Sequence, residues 1–188
     1  ATISYYDQEY STLANIEDFN LVLAGDFSET ITTLDLSSFA KAITVEYDGI
    51  KYLNKSTFNM KMLLNADLEN MTFAISDNLL EINDLVMGLE GVIGIPEEAD
   101  ADVDIRFFTK ETSFKTLLSM IPAIYSNDFA DLKTSGLLEI EGTAKGLVIG
   151  DIVPQIHMNL MVKDGYFAYP DLPEAVNNMS IDVEVFYD

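Results

Sequence analysis

The chain has 188 residues, with 10 Lys and Arg against 32 Asp and Glu, one His, and neither Cys nor Trp, for a net charge of −22 at pH 7. Phosphate binding needs cations that displace counterions, so a chain this acidic, with Arg106 as its one arginine, argues strongly against nucleic acid as a partner and against direct adsorption to anionic membranes. Without thiols there is no disulfide, thiolate metal site or cysteine nucleophile, while 60 residues of Leu, Ile, Val and Phe suffice for a core in a single domain over 1–188.

In chain order, the dominant pattern is alternation of apolar and polar residues, the period of a β-strand with one dry face. Phe19, Leu21 and Leu23 form a first short run, followed by Ile43, Val45 and Tyr47. Asp48-Gly49 then supplies the positive φ of a tight hairpin. The longest run is Phe58, Met60, Met62, Leu64, Ala66 and Leu68, interleaved with polar residues except at Leu63. Glu69-Asn70 and Asp77-Asn78 read as weaker turns, and Gly88, Gly91 and Gly94 as places where a strand bends or bulges. Val103, Ile105 and Phe107 give another strand.

The period then changes. Phe114, Leu117, Leu118 and Ile121 lie at i, i+3, i+4 and i+7, Ser113 stands at the N-cap and Pro122 at the end, so one short helix is expected over 113–121. Ala123 to Thr134 reads as irregular, anchored by Phe129 and Leu132, and Ser135-Gly136 opens the next strand, with Leu138 and Ile140. Ile156, Met158, Leu160 and Val162 alternate again, Asp164-Gly165 reads as a second hairpin, and Met179, Ile181, Val183 and Val185 close the series. The expectation is a mainly β fold: a curved antiparallel sheet, as a β-groove or an open sandwich, with one short capping helix near 113–121. The segments around Asp48-Gly49 and Asp164-Gly165 share the order strand, Asp-Gly, aromatic segment, strand, which suggests either one repeated unit or coincidence.

Residues suited to catalysis are sparse. His157 sits in the polar phase of a strand and reads as a surface histidine, with no nucleophile motif beside it, so no catalytic residue is assigned. The triple-spaced glycines match neither a dinucleotide fingerprint nor a phosphate loop. Glu97, Glu98, Asp100, Asp102 and Asp104 lack the spacing of a calcium loop and read as a solvated strand face, so neither metal nor cofactor is expected. No run of apolar residues is long enough for a membrane-spanning helix. What remains is apolar surface: one short helix covers only part of a sheet this large, which must fold over, dimerise or leave a trough open. The residues assigned to that face as acyl-chain contacts are Phe58, Met60, Met62, Leu64, Met158, Leu160, Val162, Ile181 and Val183.

Leu117-Leu118-Ser119-Met120-Ile121-Pro122-Ala123-Ile124-Tyr125, then Asp128-Phe129 and Leu132 to Gly136, resemble the AsmA family of Gram-negative envelope proteins, particularly its Bacteroidetes-type members. Asp164 to Pro173, with its Tyr-Pro-Asp-Leu-Pro ending, and Tyr52-Leu53-Asn54-Lys55 are similar to further family segments. The resemblance extends from about Phe19 to Val185, and its motifs are structural rather than catalytic. It implies a repeating β-groove, a periplasmic location with an inner-membrane anchor in the full-length protein, and a non-enzymatic role in outer-membrane biogenesis by binding or conducting lipid. It also implies that this chain is a segment of a longer protein, touching membranes only through parts outside it and meeting envelope protein partners through sheet edges. The alternative expectation is a structural or protein-interaction module without lipid binding.

Overall fold

The computed structural model describes residues 1–8, 11–110, 113–118, 133–150, 152–168 and 174–188. The fold is mainly β, with the strands β1 (Ile3–Asp7), β2 (Thr12–Glu17), β3 (Asn20–Ala24), β4 (Ile31–Tyr47), β5 (Ile50–Asp67), β6 (Thr72–Ile82), β7 (Leu85–Gly94) and β8 (Ala101–Thr109) preceding the helix α1 (Phe114–Leu118). The strands β9 (Lys133–Val148), β10 (Gln155–Ala168) and β11 (Val176–Tyr187) follow it. All eleven strands belong to one antiparallel sheet, which does not close into a barrel. From β4 to β11 each strand pairs with its successor, a meander; β1 pairs β2, and β2 and β3 lie end to end along β4, opposite its second and first halves respectively.

Local chemistry sets the corners. Asp48 and Gly49, at φ 49° and 77°, form a two-residue turn between the paired residues Tyr47 and Ile50, as the sequence leads one to expect. The turn after β5 is tied by the Asp67 carboxylate, which accepts from the Glu69 and Asn70 amides and from the Asn70 side chain. The Asn70 side-chain bond is the main reason the Asp67 carboxyl sits below its ordinary pKa. Between β6 and β7 the tight turn is Asn83-Asp84, with Asn83 at φ 51° and Ile82 paired to Leu85.

Two expected turns are bulges. Asp77, at φ 29°, is an extra residue inside β6, between Ser76 paired to Leu63 and Asn78 paired to Met62. Asn78 then holds the gap: its side chain donates to the Leu89 carbonyl at 2.6 Å and accepts from the Leu89 amide at 2.8 Å, where the β6–β7 ladder lapses between Ile75 and Leu80. Asp164-Gly165 likewise lies within the continuous strand β10, with Asp164 at φ 51° as the extra residue against both neighbours. The residues flanking it are paired on both sides, so the positive φ that would have turned the chain bends it instead. The suggested repeat therefore fails: one Asp-Gly reverses the chain and the other does not.

The helix is short and placed by burial. Phe114, 7% exposed, packs with Leu138 and Val162, both at 0%, with Ile140, Leu160, Met179 and Ile181 around them. Each such side chain contributes about 1.5–3 kcal/mol on removal from water. The Thr116 amide bonds to the Ser113 carbonyl, which fixes the first turn. The expected continuation to Ile121 and Pro122, the anchors Phe129 and Leu132, and the segment Tyr169 to Pro173 lie outside the described residues.

Candidate functional site: the apolar sheet face

Register partners on neighbouring strands share a face, so the pairing shows which side chains form one surface. One rung runs Leu34, Leu64, Ile75, Gly91, Ile105, Ala144, Ile156 and Tyr187 across all strands from β4 to β11. Another runs Ala66, Phe73, Ile93, Val103 and Gly146. A third runs Leu89, Phe107, Gly142, Met158 and Val185. The dry face is thus continuous over eight strands.

All nine residues assigned from the sequence lie on this face. They form two groups rather than one cluster: Phe58, Met60, Met62 and Leu64 on β5, and Met158, Leu160, Val162, Ile181 and Val183 on β10 and β11. Five strand spacings separate β5 from β10, roughly 24 Å along the sheet. Their accessibility differs. Met62 at 7% and Val162 at 0% are core, and Val162 lies against Phe114 of α1; Val183 is 43% exposed, and the other six are half-buried.

The centre of the face comes from residues not assigned at the outset, among them Ile75, Leu80 and Ile82 on β6, Met87 and Leu89 on β7, and Ile105 and Phe107 on β8. Period-two reading passes over β6 because the Asp77 bulge switches its inward phase from odd to even positions. The ends of the face are open: Leu21 and Leu23 on β3, and Val183, Val185 and Tyr187 on β11, are all exposed. The accessible surface of 11809 Å² compares with roughly 9,000 Å² for a compact monomer of this mass. A single-layer sheet, with both faces outside a closed core, presents more surface than a compact fold.

The opposite face carries cross-strand charge pairs among exposed apolar side chains such as Val92, Leu137, Leu147 and Phe186. Arg106 reaches Glu90 at 3.4 Å and Glu141 at 3.1 Å, Lys163 reaches Glu139 at 3.1 Å, and Lys145 reaches Asp104 at 2.6 Å. The Asp104 hydrogen bond, followed by its charge, raises the Lys145 pKa. His157 Nε2 lies 3.0 Å from Glu184 Oε1, and its ring stacks on Phe186 at 4.4 Å. Asp102 and Asp104 point outward from β8 as a solvated strand face does, and among the described residues no three acidic or His side chains are grouped to hold a metal. Shallow depressions on this side are lined by Arg106, Glu141, Asn159 and His157, and around the Asp77 bulge by Lys61 and Lys110. Among the described residues no helix is long and apolar enough to cross a membrane. Comparison with protein-family models, with characterised proteins and with solved structures returns no match.

Proposed function

We propose that this protein binds lipid acyl chains along its apolar sheet face, as a non-enzymatic component of a Gram-negative envelope that serves outer-membrane biogenesis. The observation that carries the reading is the apolar rung that runs from Leu34 on β4 to Tyr187 on β11 within a largely apolar face, which α1 covers at one end. A methylene moved from water onto such a surface gains about 0.8 kcal/mol. Because the rung from Leu34 to Tyr187 crosses eight strands without a polar side chain, a chain lying along it stays on apolar contacts of varying size, with Asn78 and Thr109 as polar side chains in the rungs beside it. That is the physical requirement for sliding as well as for holding. The envelope location, with an inner-membrane anchor supplied by parts of the protein outside this chain, rests on the resemblance to the AsmA family.

The test is lipid extraction and mass spectrometry of the purified protein, with titration of a fluorescent fatty acid. Leu23→Asp and Val185→Asp place charge on exposed positions at the two open ends, where folding tolerates it. Saturable binding that weakens at least about tenfold in the double variant is expected, since two charges replace two apolar contacts. Binding that is undiminished in a variant with native circular dichroism would sink the proposal.

A further inference from the structure

We infer that the face opposite the apolar one carries a binding site for a neutral saccharide, on β8 to β11 around Asn159. It is independent of the lipid reading, because these side chains lie on the other side of the sheet. The chain's one arginine and one histidine meet here: Arg106, Thr143, His157 and Phe186 are successive register partners on β8, β9, β10 and β11. Glu141, Asn159 and Glu184 form the next rung. The two rungs bound a pair of adjoining shallow depressions of about 280 and 260 Å³, at the small end of the range for small-molecule sites.

The charged groups here already hold one another. Arg106 spans Glu90 and Glu141, and the His157 ring is hydrogen-bonded to Glu184. An anion would meet these three carboxylates, and among the described residues the acids are not grouped as a metal needs. What is left over is hydrogen-bonding capacity: the guanidinium has donors beyond the two it uses, the carboxylates keep lone pairs, and the Thr143 hydroxyl is exposed. Asn159 adds an amide. On β5, Asn59 donates to its register partner Glu81 at 2.6 Å. Asn159 has Glu141 on one side and Glu184 on the other, yet its buried oxygen has no partner, a cost that turning the amide toward a ligand hydroxyl would relieve. Beside these groups the Phe186 ring stacks on His157 at 4.4 Å and is 64% exposed. A sugar ring presents C–H groups to an aromatic face and hydroxyls around its rim, which matches a ring set next to mixed donors and acceptors. A net charge of −22 disfavours acidic sugars and leaves neutral ones unaffected.

The test is isothermal titration calorimetry, with saturation-transfer NMR, using cellohexaose, maltohexaose and N-acetylated chitohexaose as probes. Saturable binding of at least one is expected, about tenfold weaker in Phe186→Ala and in Asn159→Leu and retained in Phe186→Trp, which keeps a ring. Both altered positions are outside the buried core, and native circular dichroism with an unchanged urea midpoint separates loss of the site from loss of the fold. Absence of binding by all three probes up to millimolar concentration overturns the proposal, as does binding indifferent to both Phe186→Ala and Asn159→Leu. So does a site that takes calcium or inorganic phosphate, with the same dependence on Asn159, while the saccharides do not bind.

Discussion

At the residue scale, several glycines hold the sheet together by what they lack, and they differ in what a methyl group would meet. A Cβ on Gly91 would lie 2.0 Å from the Asp104 carbonyl oxygen, and its φ of 135° is one that side-chain-bearing residues rarely adopt. On Gly88 the nearest atoms are the rim of the Phe108 ring and the Lys110 Cε, the far ends of side chains that can move. Gly91→Ala is therefore expected to lose about 3 kcal/mol or more, from strain and backbone overlap together. Gly88→Ala should lose about 1 kcal/mol or less. Urea denaturation of the two variants checks the order, and similar midpoints would show that backbone contact at Gly91 is relaxed elsewhere.

At the element scale, α1 and the Asp48-Gly49 turn represent two ways of specifying structure. The helix has five described residues, too few to be stable by hydrogen bonding alone, so its position comes from burying Phe114 over Leu138 and Val162. Phe114→Ala should cost about 3–5 kcal/mol in urea unfolding, as for other fully buried aromatics. The turn is local. Nothing lies within 4 Å of where a Cβ on Gly49 would be, so Gly49→Ala should cost only the left-handed backbone penalty, about 1–2 kcal/mol. The strands themselves were readable because alternation of a dry and a wet face is written residue by residue, as in Phe58 to Ala66. The bulges at Asp77 and Asp164 were not, because the same residue types permit a turn or a bulge.

At the scale of the whole molecule, the governing fact is that a single-layer sheet buries less than a compact fold. Its denaturant sensitivity should follow: the urea m-value is expected to fall below that of compact proteins of equal length, since m scales with the surface newly exposed on unfolding. An m-value typical of a compact protein would mean that the apolar face is covered in solution. The same openness is what the lipid proposal rests on, because it leaves apolar contact for acyl chains.

The sequence by itself determined the mainly β character, the polar and apolar faces of β5, β10 and β11, the Asp48-Gly49 hairpin and the presence of one short helix. These follow from side-chain period and backbone preference, which act over a few residues. Only the tertiary structure decided that all strands join one open sheet, that Met62 and Val162 are core while Val183 is exposed, and that the nine face residues fall into two groups roughly 24 Å apart. Those outcomes depend on which strands neighbour one another and on where α1 lies. Asp164-Gly165 shows the division most clearly: its composition permits positive φ, and the strands paired on both sides of it decide that the chain bends and continues.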